Sequence, residues 1–215
     1  MVVSRQIEDY ILQHSDPEDS LLADLERETS LKVINSRMLS GHLQGSILRM
    51  LSKMIAPKSV LELGTYTGYS AICLACGLSP GGQLTTIEIN DELESIALRY
   101  FEKAGLSKVI HLRIGDALEI IPSLEQQFDL VYIDADKKHY SEYYNAVFDR
   151  VIPGGWILAD NTLWDGKVVD YAGSNDPQTE GIIDFNLRIA SDPRVERVIL
   201  PIRDGLTIIR KKPLV

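Results

Sequence analysis

Carboxylate side chains follow two stretches of the sequence that have the pattern of strands. Asp134 and Asp136 come directly after residues 128–133, and Asp160 and Asn161 come directly after residues 156–159. Because the carboxyl ends of neighbouring parallel strands meet at one edge of a sheet, we expect these side chains to converge. Carboxylate and amide oxygens are the usual ligands of hard divalent cations. We therefore expect Asp134, Asp160 and Asn161 to hold Mg²⁺, with Ca²⁺ and Mn²⁺ as alternatives.

A glycine-containing turn upstream indicates a nucleoside-like ligand. An apolar run at residues 59–63 leads into Gly64 and Gly68 and then into a helical stretch. Glycine is needed where the backbone turns tightly off a strand and lets a ligand approach closely. The next strand ends in Glu88, and an acid at that place in a βαβ unit is suited to accept hydrogen bonds from ribose hydroxyls. Asp116, after a third strand, is placed to address an adenine edge.

Four motifs, taken together, resemble one enzyme family. They are residues 62–70 (ELGTYTGYS), 132–137 (YIDADK), 160–164 (DNTLW) and 200–205 (LPIRDG). The sequence resembles the cation-dependent O-methyltransferases that use S-adenosylmethionine, the group that contains caffeoyl-CoA and catechol O-methyltransferases. The resemblance runs from about residue 10 to residue 210. Any one motif is weak, but four in the same order are specific.

The resemblance implies roles for individual residues. The cofactor positions correspond to Ser40, Glu62, Gly64, Thr65, Ser70, Glu88, Ala117 and Asp136, and the strand-end argument above adds Asp116. The metal positions correspond to Asp134, Asp160 and Asn161, and Lys137 aligns with the lysine that is the general base of the catechol enzyme. We expect Trp164 to form an aromatic wall for a planar substrate, and Asp165 stands at a substrate position where the plant enzymes have asparagine.

The chemistry of methyl transfer accounts for this set of residues. An acceptor phenol has a pKa near 10, so it must lose its proton before or while it attacks the methyl carbon. A divalent cation bound to two adjacent hydroxyls lowers that pKa and fixes the oxygen. Lys137 acts as a base only when its amine is neutral, which a nearby cation favours. We expect a catechol-like or hydroxycinnamoyl-type acceptor, as the free acid or as a CoA ester.

Each of these residues also has a purely structural interpretation. Glu62 could be a solvated charge at a strand end, and Asp116 could cap the helix that begins at Ala117. Asp134 and Asp136 could form a solvated pair, although like charges so close repel unless a cation or donors compensate. Lys137 could be a surface lysine paired with Asp136 or with a glutamate such as Glu142.

Three other functions are weaker alternatives. A nicotinamide-dependent oxidoreductase requires a G-x-G-x-x-G turn and a Tyr/Lys or His constellation, neither of which we find. A D-x-D phosphatase could use Asp134 as nucleophile and Asp136 as acid, but that strand would normally come first in the fold. An adenosine-binding regulatory module would leave Asp160, Asn161 and Lys137 without a role.

Composition restricts the class of protein further. The chain has 215 residues, is 45% hydrophobic and carries a net charge of −9, which disfavours a grip on nucleic acid. We expect one domain over residues 1–215, whose helical residues 1–56 contribute to the substrate side. No stretch resembles a signal peptide or a membrane span, so a cytoplasmic protein is expected. The resemblance implies a homodimer. Cys73 and Cys76 are expected to be core residues rather than a redox or zinc pair.

The periodicity of apolar residues predicts an α/β fold. Helices are predicted at residues 4–14, 17–30, 43–55, 68–77, 91–104, 117–123, 139–150 and 178–190. Strands are predicted at residues 59–63, 83–87, 109–114, 128–133 and 156–159, and residues 195–200 and 206–210 are predicted to form a hairpin. The resemblance implies a Rossmann-like methyltransferase fold. It has a seven-stranded, mainly parallel sheet with a C-terminal antiparallel hairpin and helices on both faces.

Overall fold

Strands and helices alternate along most of the chain in the computed structural model, which describes residues 5–169 and 175–213. The strands are β1 (Ser59–Leu63), β2 (Gln83–Glu88), β3 (Ile110–Ile114), β4 (Phe128–Ile133), β5 (Val151–Ala159), β6 (Val195–Leu200) and β7 (Leu206–Lys211). They form one sheet in the order β3-β2-β1-β4-β5-β7-β6. Strands β1 to β5 pair in parallel, and β7 runs antiparallel to both β5 and β6. The predicted fold, including its C-terminal hairpin, is confirmed.

The helices connect the strands and precede the sheet at the N-terminus. They are α1 (Arg5–Gln13), α2 (Ser20–Lys32), α3 (Gly41–Ile55), α4 (Tyr69–Ala75), α5 (Glu94–Lys103), α6 (Ala117–Ile120), α7 (Tyr140–Phe148) and α8 (Pro177–Ser191). Aspartates cap the start of three of them: Asp19 accepts a hydrogen bond from the Leu21 N–H, Asp116 from the Leu118 N–H and Asp176 from the Gln178 N–H. Such caps satisfy backbone donors that a helix leaves open at its start. No helix among the described residues is long and apolar enough to cross a membrane.

Both faces of the sheet are covered, which gives two apolar clusters. In β1 and β4 the alternation of side chains places Val60 and Leu130 in one cluster and Leu61 and Val131 in the other. Helices α2 to α5 pack into the first cluster and α6 to α8 into the second. The helical N-terminal region thus shares its core with the sheet, through residues such as Leu25.

The register of the central strands brings their carboxyl ends together. Leu63 pairs with Ile133, and Ile133 pairs with Ala159. The next residues of the three strands therefore lie side by side at one sheet edge: Gly64, Asp134 and Asp160. A Cβ at Gly64 would lie 2.0 Å from the backbone oxygen of Asp134, and Gly64 has φ +95°. The turn after β1 accordingly requires glycine.

Two local predictions are wrong. Strand β5 begins at Val151 rather than at Trp156, and its pairing with β4 shifts register between Phe128 and Leu130. Pro153 and Gly154 are residues that strands usually avoid, so the sequence pattern did not indicate the first half of this strand. Gly154 has φ +83°. Cys73 is buried as expected, but Cys76 is exposed because α4 already ends at Ala75.

Candidate active site

A cavity of about 1420 Å³ opens at the carboxyl ends of the parallel strands. Among the residues that line it are most of the predicted site residues: Ser40, Gly64, Thr65, Ser70, Glu88, Asp116, Ala117, Asp134, Asp136, Lys137, Asp160, Asn161 and Trp164. The predicted residues Glu62 and Asp165 do not line it. Residues 32–35 and 37–40, which follow or end α2, form part of the wall. The strand ends and the N-terminal region therefore enclose one site.

Glu62 lies beneath the glycine turn rather than in the cavity. Its side chain is fully buried and accepts a 2.5 Å hydrogen bond from the Thr86 hydroxyl, which also bonds to Thr65 at 2.5 Å. Burial raises the pKa of Glu62 to about 8, and the charges of Asp134 and Glu88 add to this rise. The interpretation of Glu62 as a solvated charge is wrong. Its cofactor role stays a prediction.

Glu88 is the last residue of β2 and is held in a fixed orientation. One carboxylate oxygen accepts a 2.7 Å hydrogen bond from the Tyr66 N–H, and the other accepts a 2.9 Å bond from the Asn90 N–H. Each carboxylate oxygen has two lone-pair sites, so one on each oxygen is left for a ligand. Glu88 lines the cavity although only 8% of it is exposed. It can therefore accept two hydrogen bonds from a diol.

Asp116 caps a helix at the cavity wall, and its contact with an adenine edge stays a prediction. One carboxylate oxygen accepts a 2.8 Å hydrogen bond from the Leu118 N–H and so caps α6, and the residue also lines the cavity. Asp136 accepts a 2.9 Å hydrogen bond from the Gln178 amide and pairs with Lys138 at 3.1 Å. The 3₁₀ turn at Lys137–His139 and helix α8 thus hold this carboxylate at the cavity wall.

Lys137 contacts Asp134, the first predicted metal ligand. Its Nζ lies 2.6 Å from Asp134 Oδ1 and 3.1 Å from the Ala135 carbonyl oxygen. The Lys137 side chain is only 12% exposed. The alternative in which Lys137 is a surface lysine paired with Asp136 or Glu142 is wrong, since Lys138 takes Asp136. The amine instead stands inside the cavity beside the predicted cation site.

Asp160 is buried and tightly held. Its Oδ2 accepts a short hydrogen bond from the Gln44 amide and a 3.2 Å bond from the Tyr132 hydroxyl. Its Oδ1 accepts a 2.8 Å bond from the Asn161 N–H. Burial raises the pKa of Asp160 to about 6, and the negative charge of Asp134 adds to the rise. The two carboxylates therefore interact, as their strand positions predicted.

The loop after β5 is fixed by the turn between β6 and β7. The Leu163 N–H donates to the Asp204 carbonyl at 2.8 Å, and the Asp165 N–H donates to Asp204 Oδ1 at 2.8 Å. Trp164 lines the cavity, in agreement with the predicted wall, whereas Asp165 is exposed and outside it. The substrate role of Asp165 stays a prediction that this geometry does not support. Residues 170–174, further along the chain, lie outside the described residues.

Sequence reasoning missed two polar residues of the site, Gln44 on α3 and Arg203 in the β6–β7 turn. The Arg203 guanidinium donates to Gln44 Oε1 at 3.1 Å, and the Gln44 amide donates to Asp160. Arg203 belongs to the fourth family motif, residues 200–205, but the motif assigned it no role of its own. No pattern on the amphipathic helix α3 singled out Gln44.

The donor set fits a hard cation by its chemistry. Two carboxylates and one amide side chain, Asp134, Asp160 and Asn161, line the same cavity wall, and hard divalent cations prefer such oxygens. The negative charges of the two carboxylates repel each other, and a bound cation would relieve this repulsion. Within residues 5–169 and 175–213, no group of three or more His, Cys, Asp or Glu side chains is arranged to hold a metal. The predicted set consists of two carboxylates and the Asn161 amide.

Comparisons with known proteins agree with this geometry. The model of the O-methyltransferase family matches residues 12–212. Caffeoyl-CoA O-methyltransferase 2 of Eucalyptus globulus is 37% identical over 198 residues, which cover 86% of this chain and 79% of the relative. Caffeoyl-CoA O-methyltransferase of Petroselinum crispum is 36% identical over 196 residues, which cover 86% of this chain and 81% of the relative.

Solved structures show the same architecture. The O-methyltransferase from Bacillus cereus in complex with SAH is 30% identical with a TM-score of 0.87, over 96% of this chain and 97% of that one. TomG of Streptomyces achromogenes, an O-methyltransferase solved in complex with SAM, is 26% identical with a TM-score of 0.89, over 96% of each chain. The chain therefore belongs to the O-methyltransferase family, and caffeoyl-CoA O-methyltransferases are among its relatives.

Proposed function

We propose that this O-methyltransferase moves a methyl group from S-adenosylmethionine to a hydroxyl of a small phenolic acceptor, with the help of a divalent cation. The observation that carries the proposal is the cavity itself. A cofactor wall of Gly64, Glu88 and Asp116 and a cation wall of Asp134 and Asp160 face one space. A methyl donor and an acceptor hydroxyl can be held there in the proximity that transfer requires.

The cofactor wall supports the choice of methyl donor. S-adenosylmethionine has a ribose diol, an adenine edge and a positive sulfonium, and it supplies an activated methyl group. Glu88 offers one free lone-pair site on each carboxylate oxygen for the diol. Gly64 has no side chain, so the cofactor can come close to the backbone of the turn. Asp116 and Ala117 line the cavity next to Glu88's strand. Family relatives solved with SAM or SAH add independent support.

The cation wall supports the choice of acceptor. Asp134, Asp160 and Asn161 would hold the cation, and Mg²⁺ is the first candidate, with Mn²⁺ and Ca²⁺ as alternatives. When bound, a divalent cation supplies Lewis-acid activation of a hydroxyl and a template for two neighbouring oxygens. Trp164 lines the cavity at the same end, where an aromatic ring suits a planar acceptor. A catechol-like or hydroxycinnamoyl-type molecule meets both conditions.

Lys137 is the proposed base. Its amine lies 2.6 Å from the carboxylate of Asp134, which is one of the proposed cation ligands. A proton from the acceptor hydroxyl would pass to Lys137 Nζ when that amine is neutral. Asp134 keeps the amine in place through their ion pair.

A homodimer and a cytoplasmic location stay predictions, as does the absence of a nucleic-acid partner.

One experiment tests the proposal. The protein is incubated with isotopically labelled S-adenosylmethionine, Mg²⁺ and a panel of catechols, hydroxycinnamoyl esters and their monophenol counterparts, and methylated products are identified by mass spectrometry. We expect transfer to the catechol-type members and its loss in excess EDTA. Undiminished turnover in EDTA would contradict the cation, and absence of product across the panel would contradict the acceptor class. An Asp160→Asn variant should reproduce the effect of EDTA.

A further inference from the structure

A chain of hydrogen bonds joins the β6–β7 turn to the proposed cation site. The Arg203 Nη1 donates to Gln44 Oε1 at 3.1 Å, and Gln44 Nε2 donates to Asp160 Oδ2 and to the Tyr132 hydroxyl, the latter at 3.1 Å. We infer that Gln44 and Arg203 are positioning residues that orient the Asp160 carboxylate toward the cation. This inference rests on the proposed function.

The orientation of the Gln44 amide follows from its partners. A guanidinium has only donors, so the atom of Gln44 that faces Arg203 must be the carbonyl oxygen. The amide nitrogen then donates to the Asp160 carboxylate, and a hydrogen bond of this kind favours the ionised form. Gln44 is 3% exposed, so water does not compete for either bond. Arg203 thereby selects the one amide orientation that favours a charged Asp160.

Arg203 is itself fixed by the backbone of the N-terminal region. Its guanidinium donates to the carbonyl oxygens of Leu39 and Ser40, immediately before α3. Its backbone lies in the left-handed region with φ +47°, where residues other than glycine are uncommon. Within residues 5–169 and 175–213 it forms no ion pair with a carboxylate. Its contacts with described residues therefore hold the β6–β7 turn against the start of α3 and against Gln44.

The same turn also holds the main chain that follows Asp160. The Thr162 N–H donates to the Gly205 carbonyl at 3.0 Å, and the Thr207 hydroxyl donates to that of Thr162 at 2.7 Å. A Cβ at Gly205 would lie 2.7 Å from the Leu163 nitrogen, so the two loops are in close contact. The turn thus fixes the Asp160 side chain through Arg203 and Gln44, and the Asp160 backbone through this loop.

These bonds leave the two carboxylate oxygens of Asp160 with different capacities to bind a cation. Oδ2 accepts from both Gln44 and Tyr132, which uses its two lone-pair sites. Among the described residues, the Asn161 N–H is the donor to Oδ1, which keeps one site for a cation. Removal of Gln44 would leave Oδ2 with the Tyr132 bond alone and let the carboxylate rotate more freely, which costs affinity for a metal.

The test measures cation affinity rather than turnover. Mn²⁺ is titrated into the full chain and free Mn²⁺ is followed by electron paramagnetic resonance, while S-adenosylmethionine affinity is measured by calorimetry. We expect Gln44→Met, which keeps a side chain of similar size and removes all three hydrogen bonds of the amide, to weaken Mn²⁺ binding about tenfold or more. Arg203→Met should also weaken it, and the double variant should be no weaker than Gln44→Met because both act through one path.

The control is Gln126→Met, since the Gln126 amide donates to the Thr85 hydroxyl outside the cavity. It should leave Mn²⁺ affinity unchanged. Mn²⁺ affinity within twofold of wild type in Gln44→Met, or an equal loss of cofactor affinity, would overturn the inference. If Gln44→Met does not fold, unchanged Mn²⁺ affinity in Arg203→Met overturns it instead. A wild-type protein that binds no Mn²⁺ contradicts the proposed cation as well, which separates the two failures.

Discussion

The buried carboxyl group of Glu62 should make the stability of this protein depend on pH. Its pKa rises from 4.5 to about 8 on folding, mainly because of burial. The folded state therefore binds the Glu62 proton more tightly than the unfolded state. The stabilising effect is fully present below pH 4.5 and is lost as the pH rises through 8. At about 1.4 kcal/mol for each tenfold difference in proton affinity, the whole effect is roughly 5 kcal/mol.

The assay compares urea unfolding of the wild type and Glu62→Gln at pH 5, 7 and 9. Glutamine has the shape of the protonated acid, keeps an acceptor for the Thr86 hydroxyl and does not titrate. We expect the unfolding free energy of the wild type to fall by about 4 kcal/mol relative to the variant between pH 5 and pH 9. Other titrating groups, such as Asp160, are common to both proteins and cancel. Parallel pH profiles would refute the reasoning.

Three further variants test the site. Gly64→Ala should destabilise the protein by about 3 kcal/mol or more, because its Cβ would meet backbone 2.0 Å away, whereas Gly81→Ala, with nothing within 4 Å, should cost about 1 kcal/mol in thermal unfolding. Glu88→Ala should weaken S-adenosylmethionine binding in calorimetry by about 1.5 to 3 kcal/mol, while Glu102→Ala, at an exposed residue outside the cavity, should not; equal affinities would reduce Glu88 to a structural charge. Lys137→Ala should lower turnover with little change in cofactor affinity, and unaffected turnover would remove it as the base.

The edge of the sheet that carries the site could be predicted because its causes are local and periodic. Apolar runs mark the strands, and polar residues such as Asp134 and Glu88 come directly at or after their ends. Parallel pairing of neighbouring strands then brings these ends together whatever the details of packing. The glycine turn at position 64 could also be predicted, because a tight turn directly after a strand favours glycine. In the structure, only a residue without a Cβ fits beside Asp134.

The rest could not be predicted because it depends on side-chain orientation across distant parts of the chain. Gln44 and Arg203 meet only after α3 and the β6–β7 turn have docked on the sheet, and neither belongs to a spacing rule. Cys76 is exposed although Cys73 is buried, and α4 ends at Ala75, a boundary that periodicity does not resolve. Glu62 is buried beneath the turn, and its absence from the cavity wall was not predicted.

The charge of the cavity connects stability to ligand choice. Glu88, Asp134 and Asp160 line one space, and the charges of Asp134 and Glu88 also act on Glu62 below it. Burial, together with the neighbouring charge of Asp134, disfavours the ionised form of Asp160 and raises its pKa to about 6. A positive sulfonium and a divalent cation both carry charge of the opposite sign. Binding of either would therefore stabilise the folded chain, so the electrostatic features that weaken the free protein are the ones that favour its proposed ligands.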